Sequence, residues 1–290
     1  MNRDQYRVNE LDEFLVKHEV IIRSGVFLGM LMVMAGWESR LPRRTCSISK
    51  SVRWLNNIGL ILLNSVLLRI LFPTAAAGVA LFCQRQGWGI LNIWPLPTLL
   101  GIIVAVIVLD LAIYLQHVMF HAVPVLWRVH RVHHADLDFD VTTGLRFHPI
   151  EIILSMLIKF SVIVVTGAPV SAVVLFEVIL NAMSMFSHGN VRLPAPVDKW
   201  LRYLIVTPEM HRVHHSVEDD ETNSNFGFNL SLWDRLFGTY RAQPRAGHAG
   251  MTIGIRTFRD SRRCVSLAGL LTLPFIGKVT DYAINRRTWS

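Results

Sequence analysis

The chain has 290 residues, 52% of them hydrophobic and only 17% charged, against roughly 25% charged in an average soluble domain. That balance points to a membrane protein, although the length alone would suit one or two soluble domains. The formal net charge of +8 does not indicate nucleic-acid binding, because the basic residues flank apolar runs and build no basic–aromatic platform.

In chain order, the first 19 residues are polar and of mixed charge, with no short apolar core followed by a cleavage site, so no signal peptide is expected. A span needs about 20 mostly apolar residues. Residues 20–37 are the first candidate, carrying Arg23. Residues 38–53 hold Arg40, Arg43, Arg44, Lys50 and Arg53 and are therefore placed in the cytoplasm. Residues 54–72 form a second span with Asn56, Asn57, Asn64 and Arg69 in it. The 73–96 stretch is apolar but broken by Pro73, Gly78, Gly87, Gly89 and Pro95, and reads as re-entrant or interfacial. Residues 98–116 are the clearest span, and 150–166 and 169–187 form a pair joined near Gly167-Ala168-Pro169. Counting crossings from a cytoplasmic 38–53 puts 117–149 and 188–264 on the cytoplasmic side. The 265–277 stretch contains Pro274, is too short to cross comfortably, and is expected to lie in the interface.

Nine of the twelve histidines form a pattern. His117 and His121 (HxxxH) end the span 98–116. His130, His133 and His134 follow as HxxHH, and His211, His214 and His215 repeat that box. His188 stands where the span 169–187 emerges. Residues three or four apart share one helix face, so each box can aim its imidazoles at a common centre. Neutral imidazole ligates iron, zinc, copper and nickel, and eight or nine converging rings exceed the needs of one ion and suit two. Gathering them without metal would cost desolvation and, if protonated, repulsion.

Three further residues bear on the site. His148, before Pro149 and a span, is either a ligand, a support to one, or the N-cap of the helix that follows. Asp110 and Glu177 lie inside apolar spans, where a carboxylate is expensive. Each either supports a ligating histidine or makes a packing contact, such as Asp110 with Tyr114 or Asn181. The acidic groups Asp136, Asp138 and Asp140, and Glu218 to Glu221, read as solvated loops. Thr142, Thr143, Asn225 and Asp234 are positioned to orient ligands, with nothing in their spacing to decide it.

Other chemistries lack their residues. There is no HExxH, since Val118 and Arg212 follow the relevant histidines, and no GxSxG, GxGxxG or P-loop. The three cysteines (Cys46, Cys83, Cys264) are scattered without a CxxC, so neither a disulfide frame nor a thiolate metal site is expected. Redox chemistry would have to borrow electrons from another protein.

The segments 110–121, 126–151, 186–194 and 207–240, the last closing on WDRLFGTY, resemble the fatty acid hydroxylase / sterol desaturase superfamily of membrane di-iron enzymes over about residues 98–241. The resemblance implies an all-α, multi-span helical membrane protein whose cytoplasmic histidine-rich cap holds the metal. It implies two iron ions, with His117, His121, His130, His133, His134, His211, His214 and His215 in its boxes and His188 as the histidine between the second and third. Several relatives carry a second histidine near that one, where this chain has Arg192. The implied activity is O2-dependent hydroxylation or desaturation of a lipid. The electrons would come from a ferredoxin, or from a b-type cytochrome with a reductase, and the setting would be a bacterial inner membrane. Imidazole equally suits zinc. The expected organisation is a membrane segment 1–97, a catalytic region 98–241 and a tail 242–290. A metal-dependent lipid hydrolase, turning over without oxygen, and a divalent-metal transporter are the rival readings. Transport would distribute ionisable ligands through the spans rather than gather them at one face.

Overall fold

The computed structural model describes residues 10–277; residues 1–9 of the polar N-terminus and 278–290 of the tail lie outside the described residues. Among the described residues the fold is all-α, with isolated bridges and no strand. The long elements are α1 (Glu10–Arg40), α2 (Lys50–Leu71), α3 (Ala75–Gln86), α4 (Ile90–Ile93), α5 (Thr98–Ala122), α6 (Pro124–His134), α7 (Pro149–Thr166) and α8 (Val170–Ser187). Five segments are long and apolar enough to cross a membrane: Glu10–Arg40, Lys50–Ile93, Thr98–Ala122, Pro149–Thr166 and Val170–Ser187. Large apolar side chains such as Ile21, Val66, Leu99, Leu157 and Val165 point outward, as lipid-facing surface requires.

The 73–96 stretch folds as the short pair α3 and α4. At 12 residues, α3 is about 18 Å long, too short to span. Its Ala76, Ala77 and Ala80 are buried with Ala105 and Leu109 of α5 and Val173 and Phe176 of α8, forming the core of the bundle. The turn after α3 sits so close to the α7–α8 corner that a Cβ on Gly89 would fall 2.1 Å from the Gly167 nitrogen. Both glycines have positive φ (94° and 65°), so only glycine meets the two demands together.

The first helix is longer than its apolar run. At 31 residues it extends about 46 Å, because its polar residues find partners. Gln84 donates to Asp12 at 3.0 Å, and Arg23 bonds Glu19 (2.7 Å) and faces Glu177 of α8 (3.0 Å).

The other end of the bundle carries the cap, built of α9 (Ala195–Leu201), α10 (Pro208–His214), α11 (Asp219–Thr222), α12 (Leu232–Leu236) and α13 (Gly247–Gly250). The basic residues of 38–53 are not free charges here. Arg43 bonds Glu209 at 2.8 Å, and Arg44 donates to the carbonyls of His248, Ala249 and Met251. Arg53 is fully buried and pairs with Asp136 (2.7 Å) and Asp140. The loop 136–140 is therefore not solvated, in contrast to its acidic sequence. Asp136 and Asp140 close on Arg53, while Asp138 receives the backbone N–H groups of Ser47 and Ile48. Burial alone would raise the Asp136 carboxyl, but Arg146 and Arg53 hold it at about 2. Glu221 of the second acidic run is likewise buried, receiving the Arg245 N–H at 2.6 Å. The 265–277 stretch, expected to lie along the interface, forms the end of α14 (Ser261–Val265), α15 (Leu267–Thr272) and a 3-10 turn, and packs Leu270 and Leu273 against Leu60 of α2 and Trp127 and Val132 of α6.

Arg53→Met would leave buried Asp140 without its guanidinium partner and Asp136 with Arg146 alone. Loss of one partner of a buried pair costs about 3–5 kcal/mol, so the thermal unfolding midpoint in detergent should fall clearly below wild type. An unchanged midpoint would show that these ion pairs do not hold the cap.

Candidate metal centre

Four pieces of backbone bring the histidine boxes together. His117 and His121 occupy the last two turns of α5. Val123 breaks that helix in extended conformation, and Pro124 opens α6, which turns back with His130, His133 and His134. His188 caps the C-terminus of α8. Thr207 caps α10 by accepting the Met210 N–H, with Pro208 at the first helical position, and α10 then presents His211, His214 and His215.

All nine histidines are buried, none more than 6% exposed. They form two groups whose possible ligand atoms lie within 4.8 Å of one another: His117, His121, His130, His134 and His214 in one, and His133, His188, His211 and His215 in the other. In the first group Nε2 atoms face each other at 3.1 Å (His117–His130), 3.0 Å (His214–His117) and 3.1 Å (His121–His134). In the second the distances are 3.1 Å (His188–His133) and 3.0 Å (His211–His188).

The opposite nitrogens reveal what these short contacts are. Nδ1 of His117 donates to the Phe226 carbonyl (2.8 Å), Nδ1 of His214 to the Ser224 carbonyl (2.7 Å) and Nδ1 of His188 to the Ser184 carbonyl (2.7 Å). A carbonyl can only accept, so these protons sit on Nδ1 and each Nε2 carries a bare lone pair. His130 is held by Glu151 (2.6 Å), and His121 lies 3.2 Å from the Asn223 amide oxygen. Lone pairs facing each other at 3.0 Å repel unless a cation lies between them. Cis ligands on a metal with bonds of about 2.1 Å stand ~3.0 Å apart. Both rings of evidence, the spacing and the fixed tautomers, fit metal ligation. So does His215, buried with no hydrogen-bond partner on either nitrogen.

Protonation works in the same direction. Burial first, then neighbouring imidazoles, push His133, His134, His211 and His215 well below the usual histidine range. His188 is pushed down to about 4 and His214 to about 3, burial again the largest cause. At neutral pH these six rings are therefore neutral, the form that ligates.

The remaining sequence candidates lie elsewhere. His148 is the N-cap of α7: its Nδ1 accepts the Ile150 N–H at 3.2 Å, and its Nε2 donates to the Leu271 carbonyl at 3.3 Å. Asp110 accepts from Trp233 Nε1 (2.8 Å) and the Leu230 N–H (3.3 Å), tying α5 to the segment after the last box. Glu177 pairs with Lys159 (2.6 Å) and Arg23 and touches no histidine. His18 bonds its own helix and His248 pairs with Glu209 (2.9 Å). Asp234 acts one step removed. Its carboxylate accepts the N–H groups of Phe226 (2.7 Å) and Gly227 (2.8 Å), setting the carbonyl that receives His117. Sequence reasoning missed Glu151 altogether. Its only signal was a carboxylate in the first turn of a helix, a place where acids are common for dipole reasons alone.

Because groups behind a ligating histidine set its tautomer and basicity, their loss typically costs 10–100-fold in metal affinity. Glu151→Gln is expected to lower metal retention against a competing chelator by about that range, whereas Glu177→Gln should leave it unchanged. Equal retention in both would remove Glu151 from the site.

A family model described as fatty acid hydroxylase matches residues 102–239. The chain is 28% identical over 232 residues to the ornithine lipid hydroxylase OlsE of Rhizobium tropici, covering 76% of this chain and 67% of that protein. It is 30% identical over 150 residues to the alkylglycerol monooxygenase of Xenopus tropicalis (51% of this chain, 32% of that one). With the cholesterol 25-hydroxylase of Mus musculus it shares 25% over 147 residues (49% and 47%). The chain thus spans two thirds of the length of the first relative but only about a third of the second. No solved structure matches it. The segment 102–239, which carries all nine clustered histidines, is thus the part of the chain that matches the fatty acid hydroxylase domain, and the named relatives are consistent with the fatty acid hydroxylase / sterol desaturase superfamily.

Proposed function

We propose that this chain is a di-iron, O2-dependent hydroxylase of a membrane lipid. The observation that carries the reading is a cavity of about 240 Å³ that runs from the histidines into the helix bundle. His117 and His130 line one end of it, and Phe120, Phe147, Ile113, Met156, Leu180 and Phe228 give it an apolar wall. Such a chamber suits an acyl or alkyl chain entering from the bilayer, whose carbon atoms would then lie beside the first histidine group.

His117, His121, His130, His134 and His214 would hold one ion, and His133, His188, His211 and His215 the other. Bound there, the pair of iron ions would supply reductive activation of dioxygen for insertion into an unactivated C–H bond. The overall balance is one lipid C–H, one O2, two electrons and two protons in, and one alcohol and one water out. The protein's share is orientation and exclusion. Glu151 and the carbonyls of Ser184, Ser224 and Phe226 fix the rings, and the buried apolar wall keeps water from the reacting carbon. The electrons would come from a ferredoxin, or a b-type cytochrome with its reductase. The relatives are named hydroxylases and monooxygenases, which favours hydroxylation over desaturation. Their names, for an ornithine lipid, an alkylglycerol and cholesterol, favour a membrane lipid as substrate. The basic 38–53 segment favours a cap facing the cytoplasm of a bacterial inner membrane.

Cells expressing the chain should accumulate a lipid heavier by one oxygen atom, and that atom should carry the label when dioxygen is isotopically heavy. His133→Ala and His214→Ala should abolish the product and lower bound metal. Product formed without oxygen would favour the hydrolase reading, and metal flux into vesicles the transporter reading. Met156→Trp, which narrows the chamber without touching a histidine, should cut turnover by an order of magnitude or more while metal content stays at the wild-type level. Unimpaired turnover in that variant would place the substrate elsewhere.

A further inference from the structure

The cap carries an apolar surface that neither the hydropathy of the spans nor the histidine site accounts for. Trp200, Tyr203 and Leu204, at and just after α9, are 74%, 55% and 66% exposed. Leu232, Leu236 and Phe237, on and just after α12, are 49%, 65% and 50% exposed. The two stretches form one surface. Ile205 bridges to Leu230, Ser231 donates to the Arg202 carbonyl, and the Arg235 guanidinium lies over the rings of Tyr203 (4.9 Å) and Tyr240 (3.9 Å). A contiguous patch of this kind marks an interaction site rather than scattered surface apolar residues.

Its depth identifies the partner. Trp233 of α12 donates to Asp110 of α5, and the Phe237 ring stacks on Tyr114 of α5 at 5.4 Å and 18°. Asp110 lies seven residues before His117, about 10 Å further into the bundle. Within the cap, α12 is thus level with the turns of the membrane-spanning α5 that precede His117. The patch meets that span through Phe237 on Tyr114 and Trp233 on Asp110, and exposed Lys199 stands beside Trp200 in α9, with Arg235 over the ring of Tyr203. Aromatic rings flanked by Lys and Arg are the composition of the membrane interface, where the long cations reach the headgroups.

We infer that the α9–α12 surface is embedded in the bilayer leaflet on the histidine side, as an anchor that seats the cap on the membrane. The anchor joins the centre through adjacent residues. Trp233 grips the span, while its neighbour Asp234 holds the Phe226 backbone whose carbonyl fixes His117. This holds whatever lipid the centre acts on.

The test uses the full chain with Cys46→Ser, which removes the exposed cysteine, reconstituted in phospholipid nanodiscs. Nitroxide labels are placed at Leu204→Cys and, separately, Leu236→Cys. Leu99→Cys serves as the lipid reference and Arg245→Cys as the water reference. The ratio of collision with oxygen to collision with a nickel chelate should be several-fold higher at 204 and 236 than at 245, approaching the value at 99. A ratio at either position equal to that at 245 would overturn the inference, and would leave the patch facing water or a protein. Both labels replace exposed side chains on different elements, so misfolding of one variant leaves the other informative.

Discussion

Nine imidazoles buried together form an arrangement that cannot be stable by itself. Each ring must remain neutral, because a charged one would be both desolvated and repelled by its neighbours. Yet neutral rings whose Nδ1 protons are committed to carbonyls turn lone pairs toward one another at 3.0–3.1 Å. Metal ions held by the two groups would resolve that conflict, and much of the architecture serves to keep the conflict in place. The carbonyls of Ser184, Ser224 and Phe226 and the carboxylate of Glu151 come from three different parts of the chain. Further residues support this arrangement: Asp234 behind Phe226, the Thr207 cap at the start of α10, and the His148 cap on the helix that carries Glu151.

The part of the chain with no recognisable motif is bonded into this arrangement. Arg43, Arg44 and Arg53 read in sequence as charges that orient a membrane protein. In the fold Arg53 also clamps the loop after the second box, Arg43 holds Glu209 in the first turn of α10, and Arg44 ties down the backbone of 248–251. Glu38, at the inner end of α1, receives the N–H groups of Val141 and Asn190, two residues after His188. Residues 10–97 are therefore not a detachable anchor. α1 and α2 supply both a wall of the cavity and the ties that hold the cap to the bundle.

Charge inside the bundle follows the rule that ionisable groups in lipid survive only when paired. Glu19, Arg23, Lys159 and Glu177 join α1, α7 and α8 in one ion-pair cluster, with Arg23 and Lys159 bordering the cavity. Asp110 meets the same demand with hydrogen bonds from Trp233 and Leu230. An acidic residue in a span is thus a reliable sign that something must answer it, but it does not say what.

The sequence by itself determined the membrane character, the positions of the spans, and the nine histidines that share the centre. Hydropathy and i, i+3 or i, i+4 spacing are local properties, written into consecutive residues. It also marked 73–96 as an apolar stretch broken by glycines and prolines, and the fold divides that stretch into α3 and α4. Only the tertiary structure decided how the nine histidines divide into groups of five and four, since adjacent His133 and His134 point into different groups. It decided that His148 caps a helix, that Asp136 and Asp140 are buried against Arg53, and that Glu151 stands behind His130. Each of those outcomes depends on what another segment, dozens of residues away, brings alongside. A carboxylate or an imidazole has the same composition whether it caps, pairs, ligates or faces water, and only the neighbour that folding delivers distinguishes these roles.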